Sequence, residues 1–269
     1  MQNINYGCQT YPWQMDVEKF RGNMSHILNT ISSTVFTGVE AEIVMLGSYY
    51  NDWAKFAELL SKYQIQFAAL VLHEPWLLEK ETDQERANAN EAIEFLCHFP
   101  SAKLLLGHVA VDPVREHNLR KKQDNHMKCI KEIGRRAAEK GVVSVFHPNS
   151  APNSIFRYWE DYEIMFETLN KCEVGFAPDA GHMMNGGIDP LKMITYSREK
   201  VRHVHFKDMD NNHNWVTMGQ GIGDFNGIIN FLNATDYSGW IVIEDESPDA
   251  INDPDAVVKK GSNLIDTLK

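Results

Sequence analysis

The chain has 269 residues, the usual length of one α/β barrel, and 26 Lys+Arg against 37 Asp+Glu give it a formal charge of -11. That field repels nucleic-acid backbones and anionic membrane surfaces, and no run of about 18 apolar residues is present to span a bilayer. Cys8, Cys97, Cys129 and Cys172 show neither C-x-x-C nor finger spacing and MQNINYGCQTYPW lacks a basic start with an apolar run, so the expected location is a reduced cytoplasm.

Short apolar, β-rich runs alternate with longer amphipathic segments, the pattern of repeated βα units around a parallel sheet. In chain order the spacing predicts strands over Ile4–Gln9, Gly38–Ile43, Ile65–Leu72, Ala102–Val109, Val142–His147, Val174–Asp179, Val201–Lys207 and Trp240–Asp245. Between them it predicts helices over Val17–Thr34, Trp53–Tyr63, Asp83–Phe99, Gln123–Lys140, Trp159–Asn170, Pro190–Ser197 and Phe225–Ala234, with a closing helix from Pro254 to Leu268. Lys140-Gly141 and the Asp236-to-Gly239 turn sit where a left-handed cap residue is wanted, and Asp189-Pro190 reads as an N-cap followed by a first-turn proline. No linker or low-complexity tract divides the chain, so one domain over residues 1–269 is expected. Eight strands with eight helices favour an α/β fold of the closed (β/α)8 TIM-barrel class, and no Gly-rich phosphate fingerprint follows the first strand.

A parallel barrel builds its active site at the carboxyl ends of its strands, where this chain is rich in polar residues. Strand three ends in His73-Glu74, strand four in His108, strand five in His147-Pro148-Asn149 and strand six in Asp179-Ala180-Gly181-His182. Strand seven reads His203-Val204-His205-Phe206-Lys207, and strand eight ends in Glu244-Asp245-Glu246. Carboxylates and imidazoles pointed at one another inside a barrel are costly to bury without a cation, so His147, Asp179, His205 and Glu244 are expected to converge on a divalent metal. Two imidazoles and two carboxylates suit Mn²⁺ or Co²⁺, with Zn²⁺, Fe²⁺ or Mg²⁺ as alternatives, better than Ca²⁺. Alternation puts His203, His205 and Lys207 on one face, and Glu244 lies on the strand proper with Glu246 in the loop beyond.

The runs VFHPN, PDAGHMMNGGIDPL, VRHVHFKD and GQGIGDFNGIINFLNATDYSGWIVIE resemble the xylose-isomerase-like barrel superfamily of sugar isomerases and epimerases. Within it they are most similar to inosose dehydratase, which acts on 2-keto-myo-inositol. The match in motif order and spacing runs from about Gly141 to the C-terminus and is general before that. The resemblance implies a metal at the ends of strands five to eight. Its DTGH-like motif, here Asp179-Ala180-Gly181-His182, supplies Asp179 as ligand with His182 facing substrate. Its HVHLKD-like motif supplies His205 as ligand and Lys207 as a nearby charge, and its GWxxxE-like motif supplies Glu244. Most of the superfamily carries Glu at strand five and dehydratase-like members carry His-x-His. With His147-Pro148-Asn149 there, His147 either binds the metal or acts as a base, and Asn149 cannot transfer a proton.

Isomerisation, epimerisation and dehydration of a keto-sugar all begin by losing a proton α to a carbonyl, which leaves an enediolate. In this scheme His182 or His147 handles protons, Lys207 stabilises oxyanion charge and His73 is a further acid or base. Asn149 is expected to touch substrate, Glu40 to orient substrate or the groups behind it or else to form a barrel-end ion pair, and Trp13 and Trp76 to stack on the sugar ring or anchor loops. The expected partner is a small carbohydrate or cyclitol, without nucleic acid or membrane, and a homo-oligomer stays open. Two other classes compete. An endonuclease-IV-like metal nuclease needs a multi-zinc site and a basic surface, against which the charge of -11 argues. A degenerate barrel kept as a binding subunit would hold no divalent ion.

Overall fold

The computed structural model describes residues 4–268. Its strands are β1 (Asn5–Gln9), β2 (Gly38–Glu42), β3 (Gln66–Glu74), β4 (Lys103–His108), β5 (Val143–His147), β6 (Gly175–Phe176), β7 (Val204–Phe206), β8 (Asp208–Met209), β9 (Trp215–Val216) and β10 (Trp240–Ile243). Eight of them form one sheet in the order β6-β5-β4-β3-β2-β1-β10-β7, while β8 and β9 make a short antiparallel hairpin. Helix-bearing connections join the successive strands of the large sheet, which is the (β/α)8 TIM-barrel topology expected from the spacing. The residues group into two compact units, one holding the chain up to Leu70 and from His203 onward, the other Val71–Arg202, with β3 passing from the first to the second.

In the first unit β1 pairs in parallel with both β10 and β2, and β10 with β7. Its interior is built around Trp240, which clusters with Ala68 and Val242. A Cβ at Gly38 would stand 2.4 Å from the indole, so the missing side chain on β2 is what admits this ring. Truncating so enclosed a tryptophan to alanine costs about 3–5 kcal/mol. The helices Trp53–Tyr63 and Phe225–Ala234 begin where Asp52 and Asp224 accept hydrogen bonds from the amides of Lys55 and Gly227.

In the second unit β5 pairs in parallel with β4 and β6, and an isolated parallel bridge joins Phe176 to Val201. The helix Asp83–Leu96 starts with a capping box between Thr82 and Glu85. The long helix Leu119–Glu139 packs close at Gly134, where a Cβ would meet Val174 at 2.2 Å.

The local differences from expectation have identifiable causes. The helix expected over residues 17–34 is broken into Val17–Phe20 and Met24–Ser32 at Gly22, whose φ of 73° leaves the helical region. The strands expected over residues 174–179 and 201–207 keep regular pairing for only two and three residues. Beyond the short strands, single bonds such as Ala177 N to Phe146 O (2.9 Å) continue the ladder. Asp179 starts a helix, Ala180–Asn185. Among the described residues no helix is long and apolar enough to cross a membrane.

Candidate functional site

In the first unit β7 and β10 lay a row of charged side chains along their carboxyl ends. His203, His205 and Lys207 are all buried, as their shared face requires. Glu40, at the third position of β2, accepts from His203 Nε2 at 2.7 Å and from His205 Nε2 at 3.1 Å. His205 Nδ1 lies 2.8 Å from Glu244 Oε2, and Lys207 Nζ donates to Glu244 Oε1 at 2.8 Å and to Glu246 Oε1 at 2.5 Å. Burial alone would lower the His205 pKa, but the carboxylates of Glu40 and Glu244 push it up to about 10. Burial would raise Glu40, yet the His205 charge and the two imidazole hydrogen bonds outweigh it and hold the carboxyl at about 2. The Lys207 ammonium also faces the rings of Trp215 and Tyr11, at 5.4 and 6.0 Å from their centroids. Asp208 fixes the following loop, its carboxylate accepting from the amides of Gly219, Gly221 and Gly223 at 2.9–3.1 Å.

In the second unit His147, the last residue of β5, places Nε2 3.5 Å from Asp179 Oδ2, and both residues are buried. The other Asp179 oxygen caps the helix Ala180–Asn185 by accepting from the His182 amide at 2.7 Å. The His182 ring stands edge-on to His147 at a centroid distance of 5.7 Å, and its Nδ1 is 2.9 Å from Ser150 Oγ. Asn149 donates its amide to the His108 carbonyl at 2.6 Å and so ties the end of β5 to the end of β4. His73 is exposed at the end of β3, its ring occupying the space a side chain at Gly107 would fill.

Two expected substrate contacts are corrected by burial. Trp13 is fully buried (0 %) and donates Nε1–H to Asp255 at 2.8 Å, anchoring the short helix Tyr11–Gln14 after β1 to the last helix. Trp76 is likewise at 0 % and packs against His126. Neither presents a ring face to a sugar. Glu40 is buried and bonds His203 and His205, which makes it a partner of those imidazoles. Glu246, read from the sequence as a loop residue, bonds Lys207, and only its i+2 spacing from Glu244 hints at that. Ser150 and Asn185 carry no motif of their own, and their one hint in the sequence is an Asn three residues after His182 on one helix turn.

The donor set fits a divalent cation. Two ligands about 2.1 Å from one ion at 90–110° to each other stand roughly 3.0–3.4 Å apart. The His205–Glu244 and His147–Asp179 separations, 2.8 and 3.5 Å, bracket that value. The Glu40 contact to His205 Nε2 is the carboxylate–histidine arrangement that orients an imidazole whose other nitrogen binds metal.

The family model described as xylose isomerase-like TIM barrel matches residues 30–268. An inosose dehydratase from Geobacillus kaustophilus is 24% identical over 238 residues, covering 78% of this chain and 77% of the relative. The chain spans about half the length of most of the curated relatives it matches. The crystal structure of the IOLI protein with a bound zinc atom superposes with a TM-score of 0.76 at 14% identity, covering 98% of this chain and 97% of that one. That of 3-keto-D-glucoside 4-epimerase from E. coli gives 0.74 at 16% identity over 99% and 100%. At these identities the two structures show the fold.

Proposed function

Because the chain belongs to the xylose isomerase-like TIM barrel family, we propose that it is a divalent-metal-dependent enzyme acting on a keto-sugar or keto-cyclitol through an enediolate. Dehydration of an inosose is the first reading, supported by the inosose dehydratases among its relatives, and isomerisation or epimerisation of a keto-sugar is the second. The observation that carries this is the pair of imidazole–carboxylate couples at ligand spacing, His147 with Asp179 and His205 with Glu244. In the proposal these four residues hold one ion, Mn²⁺ or Co²⁺ first and Zn²⁺, Fe²⁺ or Mg²⁺ after them, in a single barrel domain. When bound, the ion supplies a Lewis acid that polarises the carbonyl and offsets the enediolate charge.

The chain's own residues do the rest. Lys207, desolvated between Glu244 and Glu246, places an ammonium donor where negative charge grows on a substrate oxygen. In this scheme His73, the further acid or base at the end of β3, takes the α-proton and gives it back, His182 meets a substrate oxygen and Asn149 holds the β5 loop. The fate of the enediolate sets the reaction: a proton returned to the neighbouring carbon isomerises, one returned to the opposite face epimerises, and expulsion of a β-hydroxyl dehydrates. The test measures metal content after dialysis and then the products from 2-keto-myo-inositol, ketohexoses and keto-glycosides by NMR with Mn²⁺ or Co²⁺ present. One ion per chain is expected, with turnover of at least one keto substrate. A protein that recruits no divalent ion, or an Asp179→Ala variant that turns over normally, overturns the reading.

A further inference from the structure

We propose that Asn185 and Ser150 are positioning residues that hold His182 in its Nε2–H tautomer, so that His182 serves as a fixed hydrogen-bond donor to a substrate oxygen and not as the base that takes the C–H proton. This deepens the reading above and rests on it for the identity of the substrate.

The direction of each hydrogen bond follows from the groups involved. Asn185 Nδ2 lies 2.9 Å from Ser150 Oγ and 3.4 Å from the Ser150 backbone carbonyl. A carbonyl only accepts, so the amide must turn its NH₂ toward it, and the same NH₂ donates to the Ser150 hydroxyl. The hydroxyl has one proton, and it goes to His182 Nδ1 at 2.9 Å. Nδ1 therefore offers its lone pair, and the ring proton sits on Nε2.

The surroundings keep this chain of donors from reversing. Ser150 is 2 % and His182 8 % exposed, so water does not compete for these groups and each bond is stronger than it would be in solvent. The Arg157 guanidinium donates to the backbone carbonyls of both Ser150 and Asn185 and rivets the β5 loop to the helix Ala180–Asn185. The approach is possible because residue 186 is glycine: a Cβ there would stand 2.0 Å from the Arg157 carbonyl oxygen. Asp179 fixes the other end of the helix through the His182 amide. An imidazole held this way meets a growing oxyanion with an N–H, and loss of one such donor typically costs 10²–10³ in kcat.

The test is ¹⁵N NMR of selectively histidine-labelled protein at neutral pH, metal-free and Zn²⁺-loaded, with His182 assigned through His182→Gln. The expected signature is a pyridine-type Nδ1 and a pyrrole-type Nε2. Asn185→Asp puts an acceptor in place of the donor, so the Ser150 proton turns to it and the His182 tautomer inverts to Nδ1–H. Ser150→Ala removes the restraint, and Ser150→Thr restores it. On 2-keto-myo-inositol, Asn185→Asp and Ser150→Ala should lower kcat about 10²-fold with KM little changed, and Ser150→Thr should stay near wild type. A wild-type His182 protonated on Nδ1, or a Ser150→Ala spectrum identical to wild type, overturns the inference. The tautomer is read without substrate, so a protein inert toward every keto-sugar that still shows Nε2–H overturns the proposed function and supports the tautomer.

Discussion

The side chains at the ends of β7 and β10 and those at the ends of β5 and β6 offer the same ligand types, yet the two regions organise them by opposite means. Around His205 the fold uses charge: the imidazole is pushed up to about 10 by two carboxylates, and Glu244 is shared with a buried lysine. Around His147 it uses burial and neutral hydrogen bonds. His108 is pulled down to about 4 and His126 well below its usual range, both chiefly by desolvation, while Ser150 and Asn185 restrain His182. One region is a cluster of buried opposite charges, and the other, apart from Asp179, a scaffold of neutral bonds that fixes direction. The same substitution should therefore cost different things in the two places.

The largest contrast is expected between Glu244→Ala and Asp179→Ala. Both remove a proposed ligand and should abolish metal retention and turnover. Glu244→Ala also strips a carboxylate from a buried Lys207 and from His205, a loss of about 3 kcal/mol for a broken buried pair. Asp179→Ala removes a cap from a six-residue helix, worth about 1 kcal/mol, together with a longer contact of 3.5 Å to His147. Urea unfolding of the two metal-free variants measures the difference, and equal losses would break the comparison.

The charged region was the more legible of the two from sequence. Alternation along HVHFK put three side chains on one face, and all three are buried there as expected, because a strand's period of two leaves little freedom. The eight strands and most helices emerged from apolar periodicity for the same reason. What periodicity does not carry is which face of a loop residue meets protein. Trp13 and Trp76 sit just past strand ends, as a sugar platform would, but their indoles turn inward. Half-exposed Trp215 lies on a hairpin set by hydrogen bonds from three glycine amides to Asp208. The Asn185–Ser150–His182 chain joins residues 35 apart by hydrogen-bond direction, a quantity with no sequence period.

The neutral scaffold can be probed by acid. His108 has a folded pKa of about 4 against 6.5 when unfolded, so the unfolded chain takes up the proton first as pH falls. Stability is then present above about 6.5 and is lost progressively down to about 4, by roughly 3 kcal/mol for this group. Buried His126 shifts in the same direction. Unfolding free energies measured across that window should decline in wild type and decline less in His108→Asn. A variant as acid-sensitive as wild type would show that burial of this imidazole does not govern the loss.

The finest test concerns Glu40, which touches neither proposed ligand pair's ion yet bonds His205 on the nitrogen away from Glu244. A carboxylate in that position keeps the ring proton on Nε2, leaves Nδ1 for the cation and adds negative charge behind it. Glu40→Gln keeps the shape and leaves an amide oxygen that can still accept from His203 and His205, but it removes the negative charge behind the His205 ring. Metal affinity should fall about 10–100-fold, read by competition with a chelator. If the charged region is a trap matched to the cation, the loss appears as weaker binding while the saturated variant keeps most of its turnover. Unchanged affinity would mean that the carboxylate serves the packing of two histidines alone, and the contrast between the regions would then lie in stability and not in metal binding.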